Sequence, residues 1–316
     1  MNGINIFEYD ITEDNDGFIV DVLEEHSGYD VLKLTYKSPI KTPYEENNEV
    51  VSYVYKPKKE CKRVIVLIHY LFEKVRLTQR ILSLYFVAHN FCAVQFTLPY
   101  HLERTPEGYS SGELFLTGDP HQNFEAYRQA VIDLRALADF LNFRGIDKIG
   151  IAGISIGALV LNTLMGIDPR FKAGVPIAGG GGLHYIVGKG LKKRYVREAY
   201  IKRSKGKSEE EAFEELDRLF KNYLKKVWAT KRVEEPPEGE EWFLIDPMTY
   251  AKFNYPRKIF MINGAIDSVI PKKAVFEFRE AVGNPPIEWL PTMHTTTALL
   301  LPVVFGRMHE FFEKNL

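Results

Sequence analysis

Apolar and polar positions change rhythm several times along the 316-residue chain. Tyr29 to Lys37 and Val50 to Tyr55 alternate, which predicts half-buried antiparallel strands. Ser38 to Asn48, between them, carries Pro39 and Pro43 and reads as a turn-rich loop. Val64 to His69 is continuously apolar instead, the pattern of a strand buried on both faces of a parallel sheet. From there the element types alternate. Helical periodicity over Thr78 to His89 precedes a strand over Phe91 to Phe96. A long amphipathic helix over Asn123 to Phe143 places Ala126, Ala130, Leu134, Leu137 and Leu141 on one face. A buried strand, Lys148 to Ala152, leads to a helix over Ala158 to Met165, and strands follow at Phe171 to Ile177 and Lys258 to Ile262. A helix over Lys272 to Val282, a strand over Ile287 to Leu290 and a closing helix over Ala298 to Phe312 complete the series. The alternation predicts an α/β fold, a mainly parallel central sheet with antiparallel strands at its N-terminal end.

One stretch breaks the pattern. Residues 188–241 hold two charged helical segments and no strand, so the core is expected in 1–187 and 242–316 with a helical insertion between. Lys189 to Lys207 contains nine Lys or Arg and one acid, Glu198, and the acidic run Ser208 to Asp217 follows. Ser208 with Glu210 and Glu211 after it reads as a helix N-cap with acids in the first turn. Pro236-Pro237-Glu238-Gly239 closes the insertion. An excursion at this point of an open sheet sits over the C-terminal strand ends, where such sheets bind ligands, and is therefore expected to be a cap over a site.

Charge narrows the choice of partners. Lys plus Arg total 41 and Asp plus Glu 42, a formal net charge of −1, so no overall attraction to nucleic acid or an anionic membrane is expected. The basic run could still make a weak contact with an anionic surface, although a solvated helix face is the commoner use of such a run. No apolar run approaches the roughly 18 residues a membrane helix needs. The first ten residues lack a basic segment followed by an apolar one, so a soluble, cytoplasmic protein is expected. Two cysteines, Cys61 and Cys92, make no disulfide framework. Neither has a partner at metal-ligand spacing, and no metal is expected. Gly-x-Gly-x-x-Gly is absent after the first buried strand, so a dinucleotide is not expected either.

The sharpest chemical feature is Gly153-Ile154-Ser155-Ile156-Gly157, directly after an apolar strand and directly before a helix. Such a tight turn needs glycines two residues before and after its apex, where a Cβ would strike neighbouring backbone. It exposes the serine hydroxyl beside a helix N-terminus, whose partial positive charge favours a developing oxyanion. With Asp267 in the turn after the Lys258–Ile262 strand and His294 four residues past the last strand, this order resembles the α/β-hydrolase superfamily. Pro99-Tyr100-His101, Arg104 and Ser111-Gly112-Glu113 resemble a little-characterised branch related to dienelactone hydrolase and acetyl-xylan esterase-like predicted esterases.

The resemblance implies a serine hydrolase that cleaves small-molecule carboxylic esters through an acyl-enzyme and needs no cofactor. Ser155 would be the nucleophile, His294 the general base and Asp267 its orienting acid. Ile156 N–H would be one oxyanion donor and Tyr70 or Leu71 the other. Where the family commonly has His-Gly, this chain has His69-Tyr70, and the Tyr70 hydroxyl is a further candidate donor to the oxyanion. His69, His101 and Arg104 are candidate substrate contacts. Against this, a strand-end histidine such as His69 is more often structural, and Arg104 could pair with Glu103, Glu107 or Glu113. Gly179 to Gly182 could cradle an anion or serve as a hinge before the cap. Acyl transfer or peptide hydrolysis on the same three residues, and an inactive binding protein on the same fold, are the alternatives.

Overall fold

The computed structural model describes residues 3–10, 17–190, 207–253 and 256–316, with 189–190 as backbone alone. A ten-stranded sheet runs through its centre in the order β1-β2-β3-β5-β4-β6-β7-β9-β10, and the short β8 pairs with β7. The first strands, β1 (Phe18–Glu25), β2 (Tyr29–Lys37) and β3 (Glu49–Pro57), are antiparallel, as is the pairing of β3 with β5 (Cys92–Phe96). Every other pairing is parallel, through β4 (Arg63–Ile68), β6 (Lys148–Ile154), β7 (Phe171–Ile177), β8 (Lys258–Ile259), β9 (Met261–Gly264) and β10 (Ile287–Leu290).

Two apolar layers sandwich the sheet. Along β4, Val64, Val66 and Ile68 face one layer and Ile65 and Leu67 the other, which is why this strand is apolar at every position. Helices α1 (Leu77–Ala88) and α6 (Phe305–Asn315) cover one face with Phe86, Met308 and Phe312. Helices α2 (Pro120–Phe143), α3 (Ile156–Ile167) and α5 (Lys272–Ala281) cover the other. The expected buried stripe of α2, Ala126 through Leu141, lies in the core throughout.

Helix α4 (Glu209–Thr230) begins at Ser208 with a full capping box. The Ser208 hydroxyl accepts from Glu211 N–H at 3.3 Å, and the Glu211 carboxylate accepts from Ser208 N–H at 2.8 Å. It buries Ala212, Leu216, Phe220, Tyr223, Leu224 and Val227, a repeat of three to four residues that marks one packed face. The basic run from Lys189 lies outside the described residues apart from its last member, Lys207, which pairs with Glu215.

Three elements differ from expectation. Strand β1 carries no alternating pattern because it is an edge strand exposed at nearly every position. The Lys258 to Ile262 run splits at Phe260, with β8 bonded to β7 and β9 bonded to both β7 and β10. The closing helix starts at Phe305. Before it, His294–Val304 is a 3₁₀ helix containing Pro302, which cannot donate to an α-helical ladder. Among the described residues, no helix is long and apolar enough to cross a membrane.

Candidate active site

Ser155 stands at φ 56° between β6 and α3, a backbone region that costs a non-glycine residue about 1–3 kcal/mol. The flanking glycines make the turn sterically feasible. A Cβ on Gly157 would lie 2.6 Å from the His69 carbonyl oxygen, and one on Gly153 would overlap the Gly157 carbonyl. Ser155 N–H donates to the Ile177 carbonyl at 2.9 Å, fixing the turn to the end of β7.

The structure brings Asp267 and His294 to this serine from the neighbouring strand ends. Ser155 Oγ lies 2.8 Å from His294 Nε2, and His294 Nδ1 lies 2.7 Å from Asp267 Oδ2. The other carboxylate oxygen, Asp267 Oδ1, accepts from the N–H groups of Val269 at 2.7 Å and Ile270 at 2.9 Å. With Oδ2 on the imidazole and Oδ1 on backbone, the carboxylate is held in one orientation and acts only as an acceptor. The loops that carry Asp267 and His294 are joined by Ala265 N–H to Leu290 O at 2.7 Å and Ile266 N–H to Thr292 O at 3.2 Å. The imidazole and the hydroxyl are thus in direct hydrogen-bond contact.

An apolar cavity of about 170 Å³ opens beside Ser155, lined in part by Ile156, Leu71, Leu159, Phe124 and Leu216. Ile156 heads α3, where backbone N–H groups have no intrahelical carbonyl to meet. Of the two expected neighbours, Leu71 lines the cavity and Tyr70 does not. Burial first, and then the nearby Glu73 carboxylate, pushes the Tyr70 hydroxyl up to about 12.

The three candidate substrate contacts are also corrected. His69 is fully buried, with Nδ1 donating to Tyr70 O at 2.8 Å and Nε2 accepting from Leu98 N–H at 3.1 Å. His101 is fully buried as well: Nδ1 donates to Pro99 O at 2.8 Å and Nε2 accepts from Phe72 N–H at 3.3 Å. Burial holds both imidazoles below their usual range, His101 at about 4, so both are neutral and each has one donor and one acceptor, all spent on backbone. Arg104 has no exposed side-chain surface. It pairs with Asp133 of α2 at 2.8 Å and donates to the carbonyls of Asn47 and Thr97. Its carboxylate partner is therefore Asp133 and not one of the nearby glutamates. All three side chains are enclosed, and none of them lines the cavity.

The motif they belong to has a structural use that the sequence reading missed. Phe72, two residues past Tyr70, has φ 62°, and its N–H is the one His101 receives. Gly112 packs against the His101 ring so closely that a Cβ there would overlap Nε2. Ser111 Oγ donates to Glu73 O at 2.5 Å and accepts from Leu102 N–H at 3.0 Å. Pro99-Tyr100-His101 and Ser111-Gly112 thus clamp the loop 70–73 beside the serine. Positive φ arises at Phe72 and not at the Tyr70 position, where the family commonly has glycine.

Gly179 to Gly182 is neither an open anion site nor a free hinge. The N–H groups of Gly182 and Leu183 donate to the Asp246 carboxylate at 2.9 and 2.5 Å, so an internal anion already fills the cradle. Gly180 abuts the backbone of Ala274, where a Cβ would lie 2.8 Å from its carbonyl oxygen. Burial raises Asp246 to about 6. Among the described residues, no three His, Cys, Asp or Glu side chains gather as a metal site.

No family model and no curated protein matches the chain in sequence. Its fold does have solved counterparts. An acetyl xylan esterase from Paenibacillus sp. R4 superposes with a TM-score of 0.62 at 16% identity, over 98% of each chain. An acylaminoacyl peptidase from Pyrococcus horikoshii gives 0.60 at 18% identity over 92% of this chain, which spans only 42% of that longer protein. Acetyl xylan esterase 1 from Thermoanaerobacterium sp. JW/SL YS485 gives 0.54 at 16% identity, over 93% of this chain and 87% of that one. Strand order, the Ser155 turn between strand and helix, and these superpositions agree: the protein has the α/β-hydrolase fold.

Proposed function

We propose that the protein is a serine hydrolase that cleaves carboxylic esters of small molecules through an acyl-enzyme. The observation that carries this reading is the continuous hydrogen-bonded chain Ser155–His294–Asp267, anchored at its far end on two backbone N–H groups. In the proposed reaction His294 Nε2 takes the Ser155 proton as Oγ attacks the ester carbonyl, and Asp267 stabilises the imidazolium that results. Ile156 N–H and Leu71 N–H receive the oxyanion. His294 then protonates the departing alkoxide, and a water activated by the same imidazole releases the acid. All the proton transfers use side chains of this chain, and the steps require no cofactor. The insertion of residues 188–241 acts as a cap, because Leu216 and Phe213 of α4 line the cavity over Ser155.

Fluorophosphonate labelling read by intact mass tests the nucleophile. One adduct is expected on the wild type and none on Ser155→Ala, with ester turnover falling about 10⁵-fold or more, as for other serine nucleophiles. An unlabelled, folded wild type that cleaves no ester would sink the reading.

A further inference from the structure

We infer that the cavity beside Ser155 is an acyl pocket for a straight chain of about six to eight carbons or a single aryl ring. The inference rests on the serine-hydrolase reading and goes beyond it to the substrate. It also separates this chain from the acetyl esters and peptides that the names of its structural counterparts evoke.

Sidedness comes first. Ile156 and Leu71, the proposed oxyanion side, line the cavity, whereas His294 and Asp267 do not. A leaving alcohol must take its proton from His294 Nε2 and so departs on the histidine side. The group left within the cavity is the acyl chain.

Polarity comes next. Among the described residues no charged side chain lines the cavity, and its polar side chains are bonded to one another or to the body of the protein with one exception, a ring nitrogen of His184. Asn123 Oδ1 accepts from Thr117 N–H at 2.6 Å, and Asn123 Nδ2 donates to Thr117 O at 3.0 Å. The Tyr127 hydroxyl bonds Thr163 Oγ1 at 3.0 Å, and His184 Nε2 bonds Asp217 at 3.0 Å, while His184 Nδ1 is buried without a partner. A sugar or a peptide placed here would find at most that one ring nitrogen, and each further hydroxyl or amide would lose its water and gain no partner, at a cost of roughly 1–3 kcal/mol per group. Methylenes suffer no such loss.

Length follows from α3. Ser155 caps that helix and Leu159 lies one turn along it. Tyr127 and Ile245, both lining the cavity, are each bonded to Thr163 Oγ1. Thr163 is eight residues past Ser155, about 12 Å of helix, so the lining residues bonded to it carry the wall about that far along α3. Its volume of about 170 Å³ is close to the roughly 150 Å³ of an apolar cavity that holds benzene. An acetyl group would leave most of it unfilled. A dodecanoyl chain would exceed that volume.

The full chain should be assayed on p-nitrophenyl esters from acetate to dodecanoate, beside fluorophosphonate labelling of the same preparation. kcat/KM is expected to rise about fourfold per methylene to a maximum at hexanoate to octanoate and to fall by dodecanoate, with benzoate above acetate. Leu159→Trp, filling the pocket one turn above the serine, should move the maximum to butyrate or shorter. If that variant does not fold, Leu216→Phe from the opposite wall should shorten the optimum in the same direction. A flat series, an acetate maximum, or a folded variant with an unmoved optimum would overturn the pocket assignment while a labelled Ser155 kept the hydrolase reading. An unlabelled wild type that turned over none of the esters would overturn both.

Discussion

The Ser155 turn and the loop 70–73 border the same cavity, yet their geometry has different origins. The serine turn is shaped by its own sequence: Gly153 and Gly157 touch each other and the end of β4, and little else could fit. The loop 70–73 has no glycine. It is held in place from outside, by a neutral histidine 29 residues away in the chain and by Ser111 and Gly112 packed behind it. A local steric constraint leaves a short motif. A remote buttress leaves a scatter of residues whose purpose shows only when they meet.

The largest effect expected from the buttress is on stability. Arg104→Met leaves Asp133 buried without its partner, which should cost about 3–5 kcal/mol and appear as a lowered urea midpoint. In the double variant Arg104→Met, Asp133→Leu much of that loss should return. An Arg104 acting on substrate would instead change KM with little change in midpoint.

A smaller and more local effect is expected at His101, the residue that positions the loop. His101→Leu removes the acceptor for Phe72 N–H and should lower kcat by about 10²-fold, the scale of losing one oxyanion donor, with KM nearly constant. His101→Gln, whose side-chain oxygen reaches toward the Nε2 position, should recover part of the loss. A change confined to KM, or no recovery with glutamine, would dissolve the contrast between the two loops.

The smallest effect is a slope in stability with pH. His101 and His184 are depressed to about 4, both first by burial. Each therefore stabilises the fold fully above the unfolded value near 6.5 and loses that contribution as pH falls through 4. Asp246, raised to about 6 by burial, works in the opposite sense: its contribution is present below its unfolded value near 3.9 and lost as pH rises through 6. The histidines outnumber it, so urea midpoints should fall between pH 6.5 and 4, and Asp246→Asn should steepen that fall. An unchanged slope in Asp246→Asn would mean that its carboxyl titrates alike in both states.

Sequence patterns carried the parallel half of the sheet well, because strands such as β4, β6 and β7 are buried on both faces and their helices have packed stripes. They failed for β1, which buries neither face fully, and for the start of the last helix, where Pro302 prolongs a 3₁₀ segment. Within the site, Ser155, Asp267 and His294 were legible because each sits at a fixed offset from a strand end. For His69, His101 and Arg104 the sequence left ligand contact and structural packing both open, because polar residues in a loop look alike whether they face a cavity or the core; the structure buries all three. Their burial is set by Asp133, Asn47 and Phe72, which lie at least 29 residues from Arg104 or His101 in the chain. The signal that could have marked Arg104 is Asp133, a carboxylate on an otherwise apolar helix face.

The hydroxyl and its base are separated by 139 positions in the chain, and this orders events during synthesis. At ribosomal rates of about 5–20 residues per second, roughly 7–30 s pass between translation of the serine and of the histidine. Throughout that interval the nascent polypeptide carries a serine turn with no base beside it. On the proposed mechanism, reactivity is withheld until the sheet has gained its last strand, and a product terminated before His294 would leave Ser155 without its proposed base.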